Sequence, residues 1–185
     1  MHERFGPELS KADAGIDYRL AAVCDHVGAA ELRIPVKLRE VAFDRANAIS
    51  GLRHWAHPGF EYESITVPAL TIDAALGSAS YARSVAWIDA EGSQSEILSG
   101  GPDFFSRVAA IYIEVEDQER WRGQSLDGEI TDRLSAFMLT SAMRDNLARG
   151  QCNQVYVRAE SDIVGAAMPS ILAYREALRR LVTAA

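Results

Sequence analysis

Two carboxylates two residues apart, directly followed by a glycine, mark the densest chemistry in this chain of 185 residues: Ile88-Asp89-Ala90-Glu91-Gly92. The apolar run before them, Ser84 to Ile88, reads as a strand, and Ser95 to Leu98 reads as helical. Ligands of open α/β sheets bind at the carboxyl ends of strands. Carboxylates on such a turn can serve as a general base, bind a ligand hydroxyl or hold a divalent cation. The plain structural alternative is that Asp89 caps the following helix and Glu91 is solvated. His54 and His57, in HWAHP, have the HxxH spacing that on one helical turn would bring two imidazoles to a metal. Pro58 and Gly59 argue for a loop instead, which leaves both as candidates for a substrate loop. Cys24 and Cys152 lie far apart and form no CxxC or Cys/His cluster, so neither a disulfide scaffold nor a zinc module is expected, and no metal site. Cys24 and Trp87 read as core residues.

These groups need a scaffold, and the composition supplies an ordinary one. With 48% hydrophobic and 24% charged residues, a chain of this length buries on the order of 70% of its unfolded surface, as one domain over 1–185. The excess of 26 Asp+Glu over 19 Lys+Arg, a net charge of −7, repels phosphate backbones, so nucleic acid is not an expected partner. The longest apolar run, Val108 to Ile113, is far short of the roughly 18 residues of a membrane span. MHERFGPELSKAD has no apolar signal core, so a cytoplasmic location is expected.

Asp17 to Cys24 is apolar and bounded by turn residues, the pattern of a buried strand. Ala30 to Val36 alternates with the period of a half-exposed strand, and Asp25 to Gly28 between the two reads as a hairpin turn. Residues 37 to 64 lack periodicity and read as a long loop. Ser64 to Thr71 reads as an edge strand because Pro68 cannot donate to a ladder, and Asp73 opens a short helix. Ser84 to Ile88 and Val108 to Val115, separated by a helix, make a parallel βαβ pair. Leu126 to Leu139 has helical spacing with acids in its first turn. Thr140 to Asn146 and Asn153 to Ala159 read as an antiparallel hairpin, and Ile163 to Val182 as an amphipathic helix. The stretch from Glu3 to Ala12 has Phe5 and Leu9 at the spacing of a short helix, although Pro7 favours an early turn or cap. Glu114 ends a strand on the same sheet edge as Asp89, and pairing with a local arginine such as Arg120 is the equal alternative.

The stretch from Ile65 to Glu116 resembles the C-terminal half of the FkbM-type S-adenosylmethionine-dependent methyltransferases. Thr71-Ile72-Asp73 matches that family's T-L-D segment. Ile88 to Gly92 with Ile97, Leu98 and Gly100 matches its I-D-V-E-G-A-E-x-x-V-L-x-G without a gap, and Glu114 matches its strand ending in glutamate. Trp87 stands where the family has lysine, and Gln94 where it has glutamate. The resemblance implies an α/β, Rossmann-like class I methyltransferase sheet, mostly parallel with a C-terminal antiparallel hairpin. The family's first two strands and glycine-rich cofactor turn are not found, so the domain is expected to be incomplete at its N-terminus, with activity in this form in question.

The implied reaction moves the methyl group of S-adenosylmethionine to a hydroxyl of a sugar or secondary metabolite. Asp89 is then the base and Glu91 orients the acceptor. Asp25 contacts the adenine amino group, and Gly92 allows close approach to the cofactor. His54 and His57 belong to the substrate loop, and the partner is a small-molecule acceptor. The competing reading is a non-catalytic α/β interaction module. Loss of two central strands also implies that either Tyr18 to Val23 pairs with Ser84 to Ile88, or the Ser84 edge is exposed and recruits a second copy.

Overall fold

The computed structural model describes residues 19–42, 51–77, 84–146 and 150–160, with single positions 165 and 169; at 143–146 it describes the backbone. The expected N-terminal helix or turn and residues Asp17 and Tyr18 lie outside the described residues, and of the expected helix Ile163 to Val182 only positions 165 and 169 are described, both helical. The chain is α/β and divides into two compact units.

The first unit comprises Met1–Ala79, Glu91–Pro102 and Arg120–Gln124. Its sheet is built from β1 (Ala22–Val23), β2 (Gly28–Leu38), β3 (Val41–Ala42) and β4 (Phe60–Leu70), in the order β1-β4-β2-β3. β2 and β4 pair antiparallel from Gly28↔Ala69 to Leu38↔Phe60, with an irregularity between Pro35 and Lys37 where proline interrupts the ladder. β1 runs parallel to β4, so Asp25 to Gly28 is not a hairpin turn: it carries the chain past β4, which lies between the strands it joins. The expected buried strand at Asp17 to Cys24 narrows, within the described residues, to two residues, and Val23 is 37% exposed.

β4 is also internal where an edge was expected, and the backbone shows why Pro68 is tolerated. Cys24 N–H donates to Leu70 O at 2.9 Å. Alternation by two puts the nitrogen of Pro68 on that same side, where pairing with β1 begins only at Ala69. No β2 ladder bond is lost. Thr71 caps α1 (Ile72–Leu76), its Oγ1 accepting from Ala74 N–H at 3.0 Å. α2 (Gln94–Ser99) follows the acidic turn.

The second unit comprises Ser80–Ala90, Asp103–Glu119 and Ser125–Ala185. β5 (Val85–Ile88), β6 (Ala110–Glu116), β7 (Phe137–Asn146) and β8 (Gln151–Arg158) form a second sheet in the order β5-β6-β8-β7. β5 and β6 are parallel, from Val85↔Ala110 to Ile88↔Ile113, as the β-branched runs predicted. β7 and β8 form the expected antiparallel pair, and β6 joins β8 antiparallel as well. The described sheets are therefore mixed and mainly antiparallel, not one mostly parallel sheet. Of the stretch expected to pair with β5, the described strand Ala22–Val23 pairs with β4 and belongs to the first sheet.

Two helices complete the described elements, α3 (Pro102–Phe105) and α4 (Asp127–Arg133). At the start of α4 the Glu129 carboxylate accepts from Leu126 N–H at 3.1 Å. The helix expected to reach Leu139 stops at Arg133, because the run from Phe137 onward pairs with β8. Val108, Ile111, Ile113 and Ile130 are at most 1% exposed and form an aliphatic core. Trp87 is not part of it. Ala86 and Ile88 point inward, and the strand period turns Val85 and Trp87 outward at 69% and 75% exposure. The Trp87 ring instead covers Tyr112, its cross-strand neighbour, at 4.4 Å.

Candidate functional site

In the first unit the acidic turn is a strained piece of backbone. Glu91 has φ 47 and Gly92 φ 83, the left-handed region that disfavours side chains. Gly92 is required for a second reason: a Cβ there would lie 2.6 Å from Cβ of Trp121. Trp121 is 2% exposed, and its ring lies 5.0 Å from that of Trp55, which stacks on Phe60 at 5.2 Å. The Gln124 side chain fixes the Trp121 segment by accepting from the N–H groups of Arg120 and Trp121 at 2.7 and 2.6 Å. Gly51 borders the same ring and Cβ of Glu91, and pairs through its backbone with Arg33. Arg53 forms an ion pair with Glu96 of α2, and its Nη1 donates to the carbonyls of Arg122 and Gly123 at 3.1 and 2.6 Å.

Asp89 follows β5 in the second unit and is exposed. It does not cap α2, whose N-cap is Ser93. Its carboxylate is thus placed at the carboxyl end of a strand in a parallel pair, as the sequence led us to expect. Glu114 of β6 accepts from Gln151 Nε2 at 3.0 Å.

Asp25 lies just past β1, in the first unit. Its Oδ1 is 2.9 Å from Nδ1 of His26, and this hydrogen bond holds its pKa below the usual value while raising that of His26. Gly100, the last motif residue, explains the local packing: a Cβ there would collide with the carbonyl oxygen of Cys24. The end of α2 can therefore approach the end of β1 only with glycine at that position. Cys24 is buried at 2% exposure, as expected.

The two loop histidines have separate environments. His54 Nε2 accepts from Arg33 Nε at 2.7 Å, and its ring meets Tyr62 edge-on at 4.6 Å. Burial, and then the Arg33 charge, push its pKa down. His57 lies edge-on to Phe60 at 6.1 Å and lines an open cavity of about 570 Å³ with Leu38, Arg39, Glu40 and Val41. With Nε2 of His54 already facing a guanidinium, the HxxH pair is not arranged as a metal site.

Sequence reasoning missed Trp121, Gly51 and the Arg53–Glu96 pair. The tryptophan in RWRGQ is the one signal that could have found them, since an aromatic in a polar, glycine-containing stretch needs a burial partner. It also missed that Cys24, Asp25 and His26, adjacent in sequence, bring three donor atoms together.

The family described as the methyltransferase FkbM domain matches residues 8–157. The chain belongs to this family. A curated relative, the 2-O-methyltransferase NoeI of Sinorhizobium fredii, is 34% identical over 55 residues, 30% of this chain and 23% of that protein. The aligned segment thus spans about a quarter of the relative's length. No solved structure matches. The matched range includes the whole acidic turn and both strands β5 and β6. Among the described residues no helix is long and apolar enough to cross a membrane.

Proposed function

We propose that this FkbM domain is an S-adenosylmethionine-dependent O-methyltransferase acting on a hydroxyl of a sugar or secondary metabolite. The observation that carries the reading is the exposed carboxylate of Asp89 directly after β5, inside the stretch the family match covers. The name of the relative, a 2-O-methyltransferase, supports a hydroxyl as acceptor. Asp89 takes the proton of the acceptor hydroxyl, and Glu91 orients the acceptor. The cofactor, when bound, supplies an electrophilic methyl group.

The residues present fit the adenine end of such a cofactor. Asp25 has a half-exposed side chain and a pKa held low by His26, so it is ionised at neutral pH and can accept from an exocyclic amino group. At the other end, the space above Gly92 is taken by Trp121, which accounts for that glycine without a ligand. His54 and His57 remain candidates for the acceptor side.

Calorimetric titration with S-adenosylhomocysteine, paired with methyl-transfer assays on hydroxyl acceptors, tests this. Asp89→Asn is expected to lower turnover by about 10²-fold while leaving cofactor affinity unchanged. An affinity loss with intact chemistry would make Asp89 a ligand residue instead.

One observation favours a second reading, a non-catalytic interaction module that pairs with its own copy. Among the described residues β5 ends its sheet, and its outward residues Val85 and Trp87 are largely exposed. Absence of cofactor binding, together with a dimer in sedimentation velocity that Val85→Lys converts to monomer, would favour it.

A further inference from the structure

Cys24, Asp25 and His26 turn their donor atoms to one point just past β1. The Cys24 sulfur lies 3.6 Å from His26 Nδ1, and Asp25 Oδ1 lies 2.9 Å from that nitrogen. All three atoms fall within 4.8 Å of one another. The backbone beneath them is fixed: Cys24 N–H donates to Leu70 O at 2.9 Å, and the Cys24 carbonyl packs against Gly100. The sulfur is buried, whereas the Asp25 and His26 side chains are 53% and 55% exposed, so an ion can enter from solvent on their side.

Both ring nitrogens of His26 face acceptors: Nδ1 donates to the Asp25 carboxylate at 2.9 Å, and Nε2 lies 3.3 Å from Ala29 O. A cation that takes the place of the Nδ1 hydrogen would meet Sγ, Oδ1 and Nδ1 together, while the Ala29 carbonyl keeps the hydrogen on Nε2. A backbone carbonyl on the remote ring nitrogen is also how metal-binding histidines are held in one tautomer.

We propose that Cys24 Sγ, Asp25 Oδ1 and His26 Nδ1 bind a divalent transition-metal cation of the zinc class, with the fourth position open to solvent. Tetrahedral zinc with bonds of about 2.3 Å to sulfur and about 2.0 Å to nitrogen and oxygen separates sulfur from nitrogen by about 3.5 Å and nitrogen from oxygen by about 3.3 Å. The first separation is already met, the second requires Asp25 to open by a few tenths of an ångström, and the sulfur–oxygen separation, within 4.8 Å, must also settle at about 3.5 Å. A mixed sulfur, nitrogen and oxygen set excludes the hard cations, which take oxygen alone. On binding, the thiol gives up its proton and its 3.4 Å contact to the His26 carbonyl, Nδ1 of His26 gives up the hydrogen it shares with Asp25, both protons pass to solvent, and the thiolate, the imidazole nitrogen and the carboxylate bond to the metal. This inference stands on the first unit's geometry alone and takes Oδ1 of Asp25, leaving the other carboxylate oxygen for the adenine contact, so it does not rest on the methyltransferase reading.

Titration of the full chain with cobalt(II), followed by zinc, tests it. One cobalt per chain is expected, with a thiolate-to-metal charge-transfer band and the strong visible bands of a tetrahedral site, and zinc displaces it. His26→Gln and Asp25→Asn are expected to lower the affinity by more than about tenfold each. Both positions are exposed, so these variants keep the test sound even if Cys24→Ser, at a buried site, folds poorly. No charge-transfer band at saturating cobalt, a band that survives in Cys24→Ser, or an affinity unchanged in His26→Gln overturns the proposal.

Discussion

The two units reach order by different means. In the second, a short sheet closes over aliphatic side chains: Val108, Ile111 and Ile113 are all at 0% exposure. Tyr156, at 1%, adds a satisfied polar end, its hydroxyl donating to Gln154 Oε1 at 2.7 Å and lying 2.8 Å from Thr131 Oγ1. In the first, β2 and β4 are each eleven residues long yet bury fully only Pro35 and Ala69. What fixes that unit is an aromatic group around Trp121, the Arg53–Glu96 pair and close contacts at Gly92 and Gly100. A hydrophobic core tolerates no lost volume, whereas a close-approach site tolerates no added volume. The candidate residues divide along this line, with Asp89 on the aliphatic unit and Glu91, Gly92, Asp25 and the histidines on the other.

The largest expected effect lies in the aliphatic core. Ile113 has β5 on one side and β8 on the other, through Ile88 and Gln154. Ile113→Ala should destabilise the second unit by about 2–5 kcal/mol. Its counterpart in the first sheet, Ile65→Ala, at a residue 43% exposed, should lose at most about 1 kcal/mol. Urea unfolding of both variants checks this, and equal losses would erase the distinction.

Gly92→Ala reverses the contrast. The new methyl must displace Trp121 while the backbone keeps φ 83. Overpacking and left-handed strain together should destabilise by about 2–4 kcal/mol. The loss should appear in the fluorescence transition of Trp55 and Trp121. Gly128→Ala in the second unit, where a Cβ meets nothing within 4 Å, should be neutral or slightly stabilising.

The same division governs how much was legible in the sequence. β5, β6 and the β7–β8 pair were readable because apolar β-branched runs and short connections determine their pairing locally. The first sheet was not, because Asp25 to Gly28 is short enough for a hairpin and nothing local shows that β4 inserts between its flanking strands. The start of β7 was misread as helix because Leu134 and Phe137 suit a helical period as well as their actual turn and strand. At the site, Asp89, Glu91 and Gly92 were visible as a motif. The reason for Gly92 was hidden, since Trp121 arrives from a distant part of the chain. Trp87 was misjudged because burial was inferred from residue type, while an end strand exposes one face.

The smallest expected effect is a difference in pH response. The three histidines among the described residues, at positions 26, 54 and 57, belong to the first unit. Hydrogen bonding to Asp25, and then to the Ala29 carbonyl, raises the pKa of His26 above 6.5. The stability it contributes is complete below that value and is lost as pH rises through the higher folded value. His54 is the reverse, lowered by burial and then by Arg33. On acidification the unfolded chain takes up this proton first, so stability falls as pH drops below 6.5. Asp25, held below 3.8, acts only at lower pH. Between about pH 5 and 8, protection of the first unit in hydrogen exchange should therefore rise with pH in His26→Gln and fall with pH in His54→Gln. The second unit should be flat across that interval. Its response lies near pH 10, where burial raises Tyr156 above 10.0 and stability declines as the unfolded chain ionises first. A slope in the second unit near neutrality, or the same sign of slope in both histidine variants, would break the assignment of pH sensitivity to these two side chains.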